Sequence, residues 1–132
     1  MNQIQDFLHQ YLKTFPYLEG LIISDKEGIE IFSAYREEKS LLKENQATTM
    51  FVAGLNQSNE NLAKLNQTKI NSLTLFYENY VVFLEAGNGF FLTIFSKIDA
   101  NISLVKQIAG DILVSFGPLS GELDKINNLN KF

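Results

Sequence analysis

In residues 80–86 and 90–96, both alternating sets of positions are largely apolar. Tyr80, Val82 and Leu84 oppose Val81 and Phe83, and Phe90, Leu92 and Ile94 oppose Phe91, Thr93 and Phe95. A strand with one wet face alternates apolar and polar residues. These two do not, so they need cover on both faces and a central place in a sheet. Gly87, Asn88 and Gly89 form a turn between them. Glu78 and Asn79 form a two-residue hairpin loop back to a third strand, predicted over residues 69–77. The chain must therefore supply a sheet with a helical layer on each side.

The remaining segments supply those layers. Ile4, Phe7, Leu8, Tyr11, Leu12 and Phe15 follow the spacing of one helical face, and Pro16 ends the helix they predict over 4–15. Leu18 to Ser24 and Ile29 to Tyr35 read as a hairpin around Asp25, Lys26, Glu27 and Gly28, with glycine where a positive φ is needed. Arg36, Glu37, Glu38, Lys39, Lys43 and Glu44 read as a solvated charged loop. A second helix is predicted over 45–65, with Ala47, Phe51, Leu55, Ser58, Leu62 and Leu65 on its apolar stripe. A third is predicted over 101–116, carried by Ile102, Val105, Ile108, Ala109, Ile112, Leu113 and Phe116. Asp99 or Asn101 can cap its start, and Gly117 and Pro118 end it.

The order is α-β-β-α-β-β-β-α. It predicts an α+β fold, one five-stranded antiparallel sheet with helices on both faces. With 132 residues, the chain fits one domain, placed at 1–118, and leaves a C-terminal tail at 119–132 whose Asn-rich end is expected to fray.

The inventory of reactive side chains is thin. There is no cysteine and one histidine, which excludes disulfides, thiolate zinc sites, a cysteine nucleophile and multi-histidine metal centres. His9 lies off the apolar stripe of its helix and reads as a surface residue. Ser40 and Lys43 match a Ser-x-x-Lys pattern without the companion motifs of that enzyme class. Residues 25–28 lack the spacing of a calcium loop. The reading is a non-enzyme without cofactors. A net charge of −4 and a single arginine followed by two glutamates argue against nucleic acid as a partner. No apolar run reaches membrane-spanning length, and Asn2 stands where myristoylation requires glycine, so direct membrane insertion is not expected.

One strand remains to be explained. If residues 69–77 form a sheet edge, their unpaired backbone groups invite another strand, and Leu73, Leu75 and Tyr77 on one face with Ile70 and Phe76 on the other do little to discourage one. On the middle helix, Met50, Ala53, Gly54, Gln57 and Asn61 form a flank of small and amide side chains that permits a close neighbour. Edge and flank together predict a dimer-forming surface.

At this point the sequence resembles a known family. Leu18, Glu19 and Gly20, the apolar run to Ile23, then Ser24, Asp25 and Gly28 resemble the signature of roadblock (dynein light chain) domains. Tyr11 and Leu12, Thr49 to Phe51, Phe76 to Val82, and Ala100 and Asn101 are similar as well, so the resemblance spans about residues 7–116. It is strongest to the branch that supplies the MEK-partner scaffold of the Ragulator complex. The resemblance implies a roadblock fold without catalytic residues or cofactors. It implies pairing with a second roadblock-type subunit through third strands and second helices, here Lys69, Asn71, Leu73, Leu75 and Tyr77 with Met50, Ala53, Gly54, Gln57 and Asn61. It further implies Rag-type small GTPases and a MAPK-pathway kinase as partners of the assembled complex, at the late endosome or lysosome surface through a partner subunit. Rival readings are another roadblock-type dimer, such as a dynein light chain or a small-GTPase regulator, and a PAS- or profilin-like sensor with Phe83, Phe90, Phe91 and Phe95 around a ligand.

Overall fold

The computed structural model describes residues 2–36, 45–65 and 71–116, with the backbone alone for residue 2 and residues 45–50. Helix α1 spans Asn2–Thr14. Strands β1, Leu18–Ser24, and β2, Glu30–Tyr35, follow. Helix α2 spans Asn45–Lys64. Strands β3, Ser72–Phe76, β4, Tyr80–Ala86, and β5, Phe91–Lys97, lead to helix α3, Ile102–Phe116. The element order is the one the residue pattern predicts.

All five strands form one antiparallel sheet in the order β2-β1-β5-β4-β3. The doubly apolar β4 and β5 lie inside it. The burial explains why they lack alternation: Val81 to Leu84 and Phe91 to Ser96 are buried without interruption.

One sheet face packs against α1 and α3. Ile4, Leu8 and Leu12 from α1 and Val105, Ile108, Ala109, Ile112 and Phe116 from α3 meet Leu21, Ile23, Phe32, Phe83, Leu92 and Ile94. Each of these side chains larger than alanine contributes about 1.5–3 kcal/mol by leaving water. The other face packs against α2. There Val52 and Leu55 meet Leu84 and Phe91, and Phe51 bridges to Ile22, Val82 and Phe95. Helices therefore cover both faces, as the strand pattern requires.

Local chemistry sets the joints. Gly28 has φ 88°, and the Asp25 carboxylate accepts the amides of Glu27 at 2.9 Å and Ile29 at 3.0 Å, which closes the β1–β2 turn. Asn101 caps α3 by accepting the Ser103 amide at 3.0 Å. A Cβ on Gly20 would stand 3.1 Å from Tyr35 Cδ1, so glycine makes room for that ring against β1. The Tyr35 hydroxyl donates to Glu30 at 3.1 Å; burial and the Glu30 carboxylate push its ionisation well above the ordinary phenol range.

Two expectations change and one gains a detail. Arg36 is exposed, as the charged-loop reading has it, but it is tied to the fold. Its guanidinium donates to the carbonyls of Leu12 at 2.5 Å, Phe15 at 3.0 Å and Leu18 at 2.9 Å, because the open C-terminal carbonyls of α1 attract a cation. Ser58 and Leu65 are exposed, and Val52 is buried instead, since the seam of α2 is rotated toward Phe51, Val52, Leu55 and Leu62. The described β3 begins at Ser72. Residues 37–44, Ile70 and the tail 119–132 lie outside the described residues.

Candidate partner-binding edge

Among the described residues, strand β3 stands at one edge of the sheet, bonded to β4 alone. Two hydrogen bonds fix which of its backbone groups are free. The Tyr77 amide donates to the Tyr80 carbonyl at 2.9 Å, and the Ala86 amide donates to the Asn71 carbonyl at 2.8 Å. In an antiparallel ladder, bonded pairs alternate with unbonded ones. Asn71, Leu73, Leu75 and Tyr77 thus direct their backbone inward to β4. Ser72, Thr74 and Phe76 direct theirs outward, where no described residue pairs with them.

The side chains divide the same way. Leu73 and Leu75 are half-buried beneath α2, and the Tyr77 ring lies between Phe51, 6.2 Å away, and Tyr80, 4.9 Å away and stacked. Phe76 points to the opposite face and is 67% exposed. The edge carries neither charge nor proline, the features that commonly deter a further strand.

On α2, the residues Ala53, Gly54, Gln57 and Asn61 are all exposed and occupy one strip, nearly opposite the seam formed by Val52 and Leu55. A Cβ built on Gly54 meets no atom within 4 Å, so the strip faces open space. Met50 lies on the same helix, in its backbone-only part, and Lys69 lies outside the described residues. Asn71, Leu73, Leu75 and Tyr77, expected at a partner contact from the sequence, alternate with the outward-directed backbones of Ser72, Thr74 and Phe76. The signal for this alternation is present in the sequence: a two-residue loop at Glu78 and Asn79 makes Tyr77 and Tyr80 a bonded pair and sets the parity of the strand.

The rest of the described surface offers little chemistry. No three His, Cys, Asp or Glu side chains cluster as a metal site among the described residues. His9 is exposed, 3.3 Å from the Gln5 amide nitrogen. No described helix is long and apolar enough to cross a membrane. A cleft of about 220 Å³ opens between α2 and two turns, lined by Lys26, Asn56, Asn59, Gly87, Phe90 and Phe91 among others. That is smaller than the roughly 300–1,000 Å³ of ordinary ligand sites. Of the four aromatics a sensor would use, Phe83 and Phe95 are core residues, and only Phe90 and Phe91 reach the cleft.

Comparison with known proteins now decides the family. The model of the family described as "Mitogen-activated protein kinase kinase 1 interacting" matches residues 2–120. The chain belongs to the mitogen-activated protein kinase kinase 1 interacting family. Among solved structures it is similar to MglB of Myxococcus xanthus, with 10% identity, a TM-score of 0.77, and coverage of 92% of this chain and 90% of that one. It is similar to a Roadblock/LC7 domain from Streptomyces avermitilis, with 8% identity, a TM-score of 0.74, and coverage of 87% and 95%. Profilin of Schizosaccharomyces pombe matches at 11% identity and a TM-score of 0.60, covering 87% and 97%. At these identities the likeness is one of fold, and the fold is the roadblock fold. A comparison with curated proteins gives no match. The chain is thus a member of the mitogen-activated protein kinase kinase 1 interacting family with a roadblock fold.

Proposed function

We propose that the chain is a non-enzymatic scaffold subunit that pairs with a second roadblock-type subunit. The observation that carries this reading is the β3 edge, with the backbone groups of Ser72, Thr74 and Phe76 directed outward beside an exposed strip on α2. In the pair, β3 extends the partner's sheet, and the α2 strip of Met50, Ala53, Gly54, Gln57 and Asn61 lets the two helices approach. Asn71, Leu73, Leu75 and Tyr77 hold the strand against β4 and flank the contact, and Lys69 belongs to the same proposed interface by its place in the sequence. The pair belongs to a Ragulator-like complex that presents Rag-type small GTPases and MAPK- and TOR-pathway kinases. A partner subunit holds it at the late endosome or lysosome. The family assignment supports the kinase part of this reading.

Co-expression tests it. The full chain alone is expected to be poorly soluble or homodimeric, and co-expression with a roadblock-type partner should yield a stable 1:1 species by light scattering. Capture from the native source should recover a roadblock-fold subunit together with a small GTPase or a kinase of the MAPK pathway. A stable monomer that recruits no roadblock-fold protein contradicts the proposal.

A further inference from the structure

The two edges of the sheet are built differently. At the β2 edge, the Arg36 amide donates to the Glu19 carbonyl at 2.9 Å. The alternation of the ladder then turns Phe32 and Ala34 inward to β1 and leaves the backbones of Ser33 and Tyr35 directed outward. The Ser33 carbonyl is nevertheless occupied, because the side-chain amide of Gln5 on α1 donates to it. The C-terminal end of α1 is held near this edge by the bonds from Arg36 to the carbonyls of Leu12 and Phe15, while a third, to Leu18, ties Arg36 to the start of β1. No described residue does the same for Ser72, Thr74 or Phe76 on β3.

The difference matters for assembly. A molecule with two open edges can join β2 of one copy to β3 of the next, a head-to-tail contact that repeats without closing. A molecule with one open edge can only pair that edge with another open edge, and the sheet then stops growing. We infer that Gln5 and α1 guard the β2 edge, so that strand addition is confined to β3 and assembly by sheet extension ends at two subunits. This inference rests on the proposed pairing through β3, and its test separates the two.

The measurement is the mass of the purified full chain by sedimentation velocity across a range of concentrations, with far-UV circular dichroism to confirm folding. Wild type is expected at two chains. Thr74→Pro blocks the β3 edge without touching a ladder bond and is expected at one chain; Ser72→Pro does the same should Thr74→Pro fail to fold. Gln5→Ala alone should add species larger than two chains as concentration rises. Gln5→Ala combined with the proline variant should return from one chain to two, now through β2. If the combined variant stays at one chain and Gln5→Ala stays at two, the guard is overturned while pairing through β3 stands. If the folded proline variants keep the mass of two chains, the pairing itself is wrong, and the guard falls with it.

Discussion

The amide of Tyr77 donates to the carbonyl of Tyr80 at 2.9 Å. That single bond closes the β3–β4 hairpin and fixes the parity of the strand before it. Every even-numbered residue of β3 then has its backbone turned away from β4. The amide of Thr74 is one of these groups, so proline at this position removes an outward donor and no ladder bond. Thr74→Pro should leave the circular dichroism spectrum unchanged and weaken pairing about 100-fold, through lost edge bonds and an obstructing ring. A dilution series in an analytical ultracentrifuge measures this.

Arg36 holds the C-terminal end of α1. Arg36→Met keeps much of the apolar stem but withdraws all three bonds to carbonyl oxygens. The variant should lose about 1–2 kcal/mol of stability, the sum of the lost bonds and the lost cation at a helix C-terminus. Urea denaturation measures it. A loss within experimental error would mean that water caps the helix equally well.

Thr93 is fully buried between β1 and β4 on the face beneath α2, and its hydroxyl meets no hydrogen-bond partner among the described residues. Valine has nearly the same shape without the unpaired oxygen. Thr93→Val should therefore raise stability by about 1 kcal/mol. Thermal unfolding with matched controls gives the sign directly.

Much of this fold is legible in the residues. Val81 to Leu84 and Phe91 to Phe95 force a sheet covered on both faces, and the loop at Glu78 and Asn79 sets its register. The role of Arg36 was not legible, because the acceptors at Leu12, Phe15 and Leu18 lie far from it in sequence and meet it only in the folded chain. The seam of α2 was misplaced for a related reason. Ser58 and Val52 stand about 120° apart on the helix, and the contact with Leu84 and Phe91 in the folded chain selects the Val52 side. At the candidate edge, the strand is legible from its apolar side chains, while the outward groups belong to the backbone of Ser72, Thr74 and Phe76, which side-chain type does not mark.

Glu85 gives the protein a pH dependence with a definite sign. One of its carboxylate oxygens is buried with no partner among the described residues, and burial raises its pKa, opposed in part by Lys106. The folded state therefore holds this proton more tightly than the unfolded chain. The contribution to stability is fully present below the ordinary carboxylate range and is lost as pH rises through the raised value. Glu85→Gln should be more stable than wild type at neutral pH, with the advantage shrinking at acid pH. Melting both proteins at pH 4 and pH 7 tests the sign.

Pairing through β3 makes a demand on individual amides. In the isolated chain, the N–H groups of Ser72, Thr74 and Phe76 meet no described acceptor, so they should exchange with solvent almost as fast as unstructured amides. In the paired state, they become ladder donors across the new sheet. Residue-resolved hydrogen exchange on the full chain, paired and diluted, measures this. The account predicts strong protection at Thr74 and Phe76 on pairing, with little change at Leu73 and Leu75, which already bond to β4. Rapid exchange at Thr74 and Phe76 in a sample that still sediments as two chains would contradict it.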